Sequence, residues 1–357
     1  MSRQTQAVIH ADALIHNFDL LSAMTPEGQS MAVIKADAYG HGAINVARIL
    51  RERSPYFAVA IVEEAIQLRD AGITAPIVVL EGPHQDYECA VAGEQNYILV
   101  VHQQQQLQWL ASCPLEQRPT VWLKVDSGMH RLGFQCQEIP ALLSRHGDLF
   151  NVPPVLVTHL ACADEVNHPF NGQQLEDFLA LRDQTGLAVS IANSPAVVGC
   201  PQARAQWNRL GIAIYGAQPL QGDCGLSLQP VMSLQASVIS VKKVKAGDTV
   251  GYSQTWRAQR PSVIATVGIG YADGYPRHCP NGTPVMINGH RGVLAGRVSM
   301  DMITVDVTDI PTPQPGDPVE LWGQQLAVDE VARYAGTISY ELLTRVSSRV
   351  PRLVYYV

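Results

Sequence analysis

An α/β chain, with an N-terminal (β/α)8 barrel followed by a β-rich C-terminal domain, is the fold the sequence predicts. Three observations carry this reading. Between residues 31 and 216 short apolar runs alternate with helix-period stretches; those runs number eight; and after about residue 228 the helical period gives way to short alternating strands separated by turn signals. Near-continuous apolar strands separated by helices describe a parallel sheet covered on its outer face, and eight such units close into a barrel. An open doubly wound sheet is the architectural alternative. The expected division is 1–228 and 229–357, which suits a two-domain length of 357 residues.

The elements follow in order. Asp12 is read as the N-cap of a first helix in which Leu14, Phe18 and Leu21 share one face. The eight apolar runs lie near 31–36, 56–61, 76–81, 97–102, 120–125, 155–160, 188–192 and 210–215. Intervening stretches such as 62–72 read as helices, here with Gly72 as the C-terminal stop. In the second domain strands are expected at 236–242, 262–267, 284–287, 303–307 and 318–322, with Asn288-Gly289 as a two-residue hairpin turn. Residues 7–10 are expected to pair with this domain.

Composition excludes several function classes. A formal charge of −7, with no basic cluster, argues against nucleic acid or anionic membrane as partner. The seven cysteines are scattered, odd in number and free of any C-x-x-C pair, the pattern of a reduced cytoplasmic protein without a structural zinc. The N-terminus runs into a short strand and an amphipathic helix without an apolar leader pattern, and the sequon at Asn281 reads as a chance match in a turn.

Chemistry enters with two lysines. Lys35 sits in the apolar run Ala32-Val33-Ile34-Lys35-Ala36-Asp37-Ala38-Tyr39-Gly40-His41-Gly42, and Lys124 in Val121-Trp122-Leu123-Lys124-Val125-Asp126. Stripping water from an ammonium costs several kcal/mol unless the group is paired or loses its proton. Snorkelling from a strand end is the bland explanation. A covalent imine with an aldehyde cofactor is the chemical one. In a barrel the active site lies at the C-terminal strand ends, where Lys35, Lys124, Asp126, His159, Asn193 and Ser194 all fall on this reading. A phosphate site near strands seven and eight would suit Ser194 and the amides near Gly211 and Ile212, although Ser194 before a proline is by itself a plain helix cap.

The stretch 33–42, together with Asp126-Ser127-Gly128-Met129-His130-Arg131-Leu132-Gly133, resembles the alanine racemases, which use pyridoxal 5′-phosphate (PLP). The likeness continues through Asn193-Ser194-Pro195, Arg209-Leu210-Gly211-Ile212, Gly251-Tyr252, Gly270-Tyr271-Ala272-Asp273-Gly274 and Arg297-Val298-Ser299-Met300-Asp301, so it spans essentially the whole chain. It implies that Lys35 forms the imine with PLP, that Tyr39, Ser194, Gly211, Ile212 and Tyr340 hold the phosphate, that His159 lies against the ring, and that Arg209 faces the pyridine nitrogen. A permanent cation there suppresses ring protonation and weakens the electron sink, which leaves proton transfer as the main outcome. Without the resemblance, His159 reads as a satisfied core histidine.

Racemisation removes a proton from one face of Cα and returns one on the other, so two opposed bases are natural. The resemblance makes Lys35 one base and Tyr252 the other, supplied by a second copy of the chain in a homodimer with composite sites. A tyrosine with an ordinary pKa near 10 needs neighbouring cations to act near neutrality; Arg131, His159 and Arg209 are the candidates. The resemblance also makes Lys124 a lysine that takes up carbon dioxide as a carbamate, with a salt bridge to Asp126 as the plain alternative. It places Arg131, Tyr271, Met300 and Asp301, with Arg277, at the substrate end. The implied reaction interconverts L- and D-alanine, for cell-wall synthesis or alanine catabolism. The chain departs from the family at Leu210, where proline is usual, and at Ser253, where glycine is usual. A fold-related PLP decarboxylase, a non-enzymatic PLP-binding barrel and a racemase of broader range are the competing readings. Arg209 opposes the first, since a decarboxylase would set a carboxylate on the ring nitrogen, and the β domain with Tyr252 opposes the second.

Overall fold

The protein, described from residue 3 to residue 356 in a computed structural model, is built around a closed parallel barrel. Its strands are Gln29–Val33, Phe57–Val59, Ile77–Val79, Tyr97–Val101, Thr120–Asp126, Val155–Val157, Val189–Asn193 and Trp207–Leu210. Each pairs in parallel with the next, and the last returns to the first, with Leu210 opposite Ala32. The strands are buried on both faces, as their unbroken apolar runs require. Trp207 packs edge-on to Tyr56 and tilted against Trp122, at 4.6 and 5.4 Å between centroids.

The expected elements shift in three places. The run 210–215 is not the eighth strand; that strand is Trp207–Leu210, and Ile212–Tyr215 forms a buried 3-10 turn. Polar Asn208 and Arg209 masked the strand, whereas the Gly211 N–H bonds the Ser194 hydroxyl instead of a neighbouring strand. The first strand stops at Val33, so Lys35 opens the segment after it. The first helix spans Ala11–Ser22 with His10 at the N-cap, which leaves Asp12 in the first turn, where a carboxylate still complements the helix dipole.

A second sheet, mainly antiparallel, joins Met232–Val244, Ser262–Val267, Pro284–Ile287, His290–Leu294, Ile303–Asp306 and Pro318–Trp322. Two further strands complete it. Gln6–Ile9 pairs antiparallel with Met232–Gln235, and Ala7–His10 runs parallel to Arg352–Tyr355. The first and last strands thus lie side by side in one sheet. Asn288 and Gly289, at φ +50° and +78°, form the hairpin turn between Pro284–Ile287 and His290–Leu294.

Candidate active site

The segment after the first strand has an unusual backbone. Ala36, Asp37, Ala38 and Tyr39 all have φ between +52° and +53°, making one turn of left-handed helix directly after Lys35. Each such L-residue costs roughly 1–2 kcal/mol, so the turn persists only where its surroundings hold it. Four side chains do so. Glu64 Oε1 accepts the Ala36 N–H at 2.6 Å while its Oε2 accepts that of Ala60 at 2.7 Å. Asp37 Oδ1 accepts from the Ala43 N–H at 2.7 Å. His41 Nδ1 lies 3.0 Å from the carbonyls of Ala38 and Tyr39. Arg352, from the last strand of the second sheet, donates Nε–H to the Gly40 carbonyl at 2.9 Å. Gly40 is required here: at φ +79° an added Cβ would lie 2.1 Å from the Leu343 carbonyl, in the helix Ser339–Thr344 that carries Tyr340.

This turn forms one wall of a cavity of ≈ 650 Å³ at the C-terminal mouth of the barrel. Lys35, Tyr39, Lys124, Arg131, His159, Ser194, Arg209, Gly211, Ile212 and Tyr340 all line it. Glu81 and Asn193 join them, and Glu81 was legible only as a carboxylate ending the apolar run 76–81. One side is an aromatic ledge, where Tyr39 lies 4.9 Å from Tyr215 and 5.9 Å from Tyr340 between centroids. Ser194 Oγ accepts the Gly211 N–H at 2.7 Å, and a Cβ added to Gly211 would lie 2.8 Å from the Tyr39 hydroxyl.

The opposite wall is cationic. Arg209 is buried and its fork is fully engaged, with Nη1 donating to Ser190 Oγ at 2.6 Å and Nη2 to the carbonyls of Thr158 and Ile191 at 2.8 and 2.9 Å. Burial pulls its pKa down to about 10, which still leaves it charged at neutrality. Arg209 Nη2 also faces His159 Nδ1 at 3.3 Å; burial, reinforced by Arg209 and Lys124, holds the imidazole well below its usual pKa and therefore neutral. Burial likewise lowers Lys35, with Arg131 adding to the effect and Glu81 and Glu64 opposing it. Lys124 is driven well down by burial and then by Arg209 and Arg131. Its alternative partner is engaged elsewhere: Asp126 accepts from the Gly128 and His130 N–H groups at 2.9 and 3.0 Å. A cavity lined by Arg131, Arg209 and two lysines, against two carboxylates at Glu81 and Glu341, suits an anionic ligand.

Six of the expected residues lie outside the cavity, Asp126 and five of the second domain. Tyr252, Tyr271, Met300 and Asp301 are on loops of the second domain, with Tyr252 69% and Met300 54% exposed. Arg277 lines a separate cavity with Arg297 and His278. A further cavity of ≈ 720 Å³ adjoins the first through His159, Asn193, Pro195 and Tyr340 and opens outward past Asp164 and Ile338.

Comparison with known proteins identifies the family. Residues 9–219 match the alanine racemase N-terminal domain and residues 231–354 the alanine racemase C-terminal domain. The chain belongs to the alanine racemase family. It is 59% identical over its full length to the alanine racemase of Alteromonas mediterranea, whose whole chain is covered. It is 45% identical to the catabolic alanine racemase of Pseudomonas putida, covering 98% of each chain. The crystal structure of the biosynthetic alanine racemase of Pseudomonas aeruginosa superposes with a TM-score of 0.95 at 47% identity, covering 99% of both chains. That of the Bartonella henselae alanine racemase with covalently bound pyridoxal phosphate gives 0.90 at 32% identity, covering 98% of this chain and 99% of that one. The chain is accordingly a racemase that interconverts L- and D-alanine. Among the described residues no helix is long and apolar enough to cross a membrane.

Proposed function

We propose that this racemase works with PLP held by Lys35 in the ≈ 650 Å³ cavity, and that each site is completed by Tyr252 from a second copy of the chain. The observation that carries the reading is the convergence of Lys35, Tyr39, Ser194, Arg209, Gly211 and Tyr340, drawn from three barrel strand ends and the helix Ser339–Thr344, on one cavity. The donor set fits the cofactor. Ser194 Oγ, the Gly211 and Ile212 amides and the Tyr39 and Tyr340 hydroxyls suit a phosphate, and the space beside Gly211, which a Cβ would occupy, leaves room for its oxygens. The lowered pKa of Lys35 favours the neutral, nucleophilic amine. Bound PLP acidifies the Cα–H of an amino acid attached to it.

The chain's own residues then divide the work. Arg209, held by its three acceptors, would stand beside the pyridine nitrogen of the cofactor, where its positive charge would disfavour protonation of the ring. Lys35 Nζ takes or gives the Cα proton on one face. Tyr252 Oη takes or gives it on the other; its exposure on a second-domain loop, together with that of Met300 and Tyr271, is what a group donated to another copy requires. Arg131 orients the substrate carboxylate. Lys124, whose pKa is lowered by burial and by the nearby charges of Arg209 and Arg131, is set to add carbon dioxide through Nζ with loss of a proton, and the resulting carbamate anion would pair with Arg131. Seven unpaired cysteines suit a reducing compartment, the cytoplasm.

The test is direct. Borohydride reduction of the purified protein followed by peptide mapping should fix a pyridoxyl group on Lys35, and chiral assay with L-alanine, L-serine and L-lysine should show racemisation of alanine above the others. Label on another lysine, or none, would overturn the site. Equal rates on all three would favour the broader-range racemase.

A further inference from the structure

Asp273 lies outside every cavity described above, yet it is fully buried, and its carboxylate accepts three hydrogen bonds and pairs with one further guanidinium. Arg3 grips it in a fork, Nη1 to Oδ1 at 2.7 Å and Nη2 to Oδ2 at 2.5 Å. Arg349 Nε approaches Oδ1 at 3.1 Å, and the Gly270 N–H donates to Oδ2 at 2.9 Å. A charge taken out of water persists only when its lone pairs are satisfied this fully. The groups come from three distant stretches of chain: the N-terminal arm, the loop after Ser262–Val267, and the segment before the last strand.

What this hub holds is two loops at once. The same Gly270–Gly274 turn presents Tyr271, whose N–H donates to the Ser299 carbonyl at 3.0 Å, while the Ala272 N–H donates to that of Met300 at 2.9 Å. Gly270 is packed so closely that a Cβ would lie 2.4 Å from both the Ser299 and Met300 carbonyls. Arg349 reaches past Asp273 with Nη2 to Asp301 Oδ1 at 2.8 Å. Arg3 and Thr5 both donate to the Gly268 carbonyl, at 2.9 and 2.6 Å, and fix the base of the turn. Tyr271, Met300 and Asp301 are therefore tied to one buried carboxylate while Tyr271 and Met300 stand partly exposed.

We propose that Asp273, clamped by Arg3 and Arg349, is a positioning residue that sets Tyr271, Met300 and Asp301 at the carboxylate end of the alanine site in a second copy of the chain. This rests on the composite site proposed above. The N-terminal arm thereby acts on a substrate site that its own barrel does not contain.

Hybrid dimers of the PLP-loaded enzyme test it. Asp273→Asn should keep the visible absorption of bound PLP, because the cofactor cavity belongs to the barrel, but raise KM for alanine and the Kd of propionate by about tenfold, with a smaller change in kcat. A purely structural role would lower the melting temperature and leave KM and the propionate Kd at wild-type values, which would overturn the proposal. Two differently tagged chains, Lys35→Ala and Asp273→Asn, are then co-expressed and the heterodimer isolated. One of its sites joins an intact Lys35 to loops held by an intact Asp273, so about half the wild-type activity should return with a wild-type KM. Persistence of the raised KM would overturn action across the dimer. The matching Lys35→Ala and Tyr252→Phe heterodimer separates the two claims: recovery there with none for Asp273 refutes only the positioning role, and no recovery there refutes the composite site itself. Should Asp273→Asn fail to fold, Arg3→Gln, which leaves the Arg349 contact in place, should give the same KM shift in smaller measure, and a wild-type KM in that variant would refute the proposal.

Discussion

Acid should weaken this protein through His41, which takes no part in the chemistry. The ring is fully buried, stacked on Tyr215 at 4.5 Å between centroids, with Nδ1 committed to the left-handed turn and Nε2 without a hydrogen-bond partner among the described residues. Burial pushes its pKa down from 6.5 to about 4. The folded value lies below the unfolded one, so the unfolded chain takes up the proton first as pH falls. The stabilising contribution of the neutral ring is thus complete above pH 6.5 and is lost progressively down to pH 4. At about 1.4 kcal/mol per unit, His41 alone removes about 2 kcal/mol of stability between pH 7 and pH 5. Urea unfolding of wild type and His41→Asn, at several pH values in that range, isolates this share. Asparagine keeps an amide N–H where Nδ1 stands, and the remaining histidines contribute equally to both proteins. The wild-type curve should fall more steeply by that amount; parallel curves would refute the argument.

Three further outcomes follow from the cavity. Gly211→Ala places a methyl 2.8 Å from the Tyr39 hydroxyl and should weaken PLP binding by about tenfold in a fluorescence titration, roughly 1.4 kcal/mol; unchanged affinity would remove Gly211 from the phosphate cradle. Arg209→Glu should raise the ratio of pyruvate formed by transamination to racemised alanine, since a carboxylate favours a protonated ring, and an unchanged ratio would contradict the role given to the guanidinium. Lys124→Met should abolish the carbon-13 carbamate resonance that wild type shows with labelled bicarbonate and raise KM for alanine several-fold; a resonance that persists would place the carbamate elsewhere.

The residues that were legible in the sequence are those whose types conflict with their surroundings. Lys35 and Lys124 stand out because an ammonium does not belong in an apolar strand, and the two-residue hairpin at Asn288-Gly289 because few sequences tolerate two positive φ values. Two other features were hidden for opposite reasons. The eighth strand carries polar Asn208 and Arg209 where an apolar run was expected, since Arg209 finds its acceptors inside the barrel. The left-handed turn lies in Ala-Asp-Ala-Tyr, which has no glycine to signal it; only Gly40 and Gly42 mark its exit. Its supports act across sequence distances of 28 residues for Glu64 and 312 for Arg352, and Arg3 reaches Asp273 across 270, so none of these pairs has a local signature. Tyr252 was legible through the resemblance alone, because one chain leaves it exposed and outside the cavity.

The central claim is that Lys35 and Tyr252 act on opposite faces of one Cα. Incubation of Tyr252→Phe with each alanine enantiomer in deuterium oxide, followed by mass spectrometry beside a chiral assay, measures this most directly. Racemisation should fall in both directions together, because every turnover needs both groups. The enantiomer whose Cα–H faces Lys35, by family resemblance D-alanine, should still exchange that hydrogen for deuterium with retention, while the other should not. Racemisation near the wild-type rate, or equal exchange from both enantiomers, would contradict the two-base account.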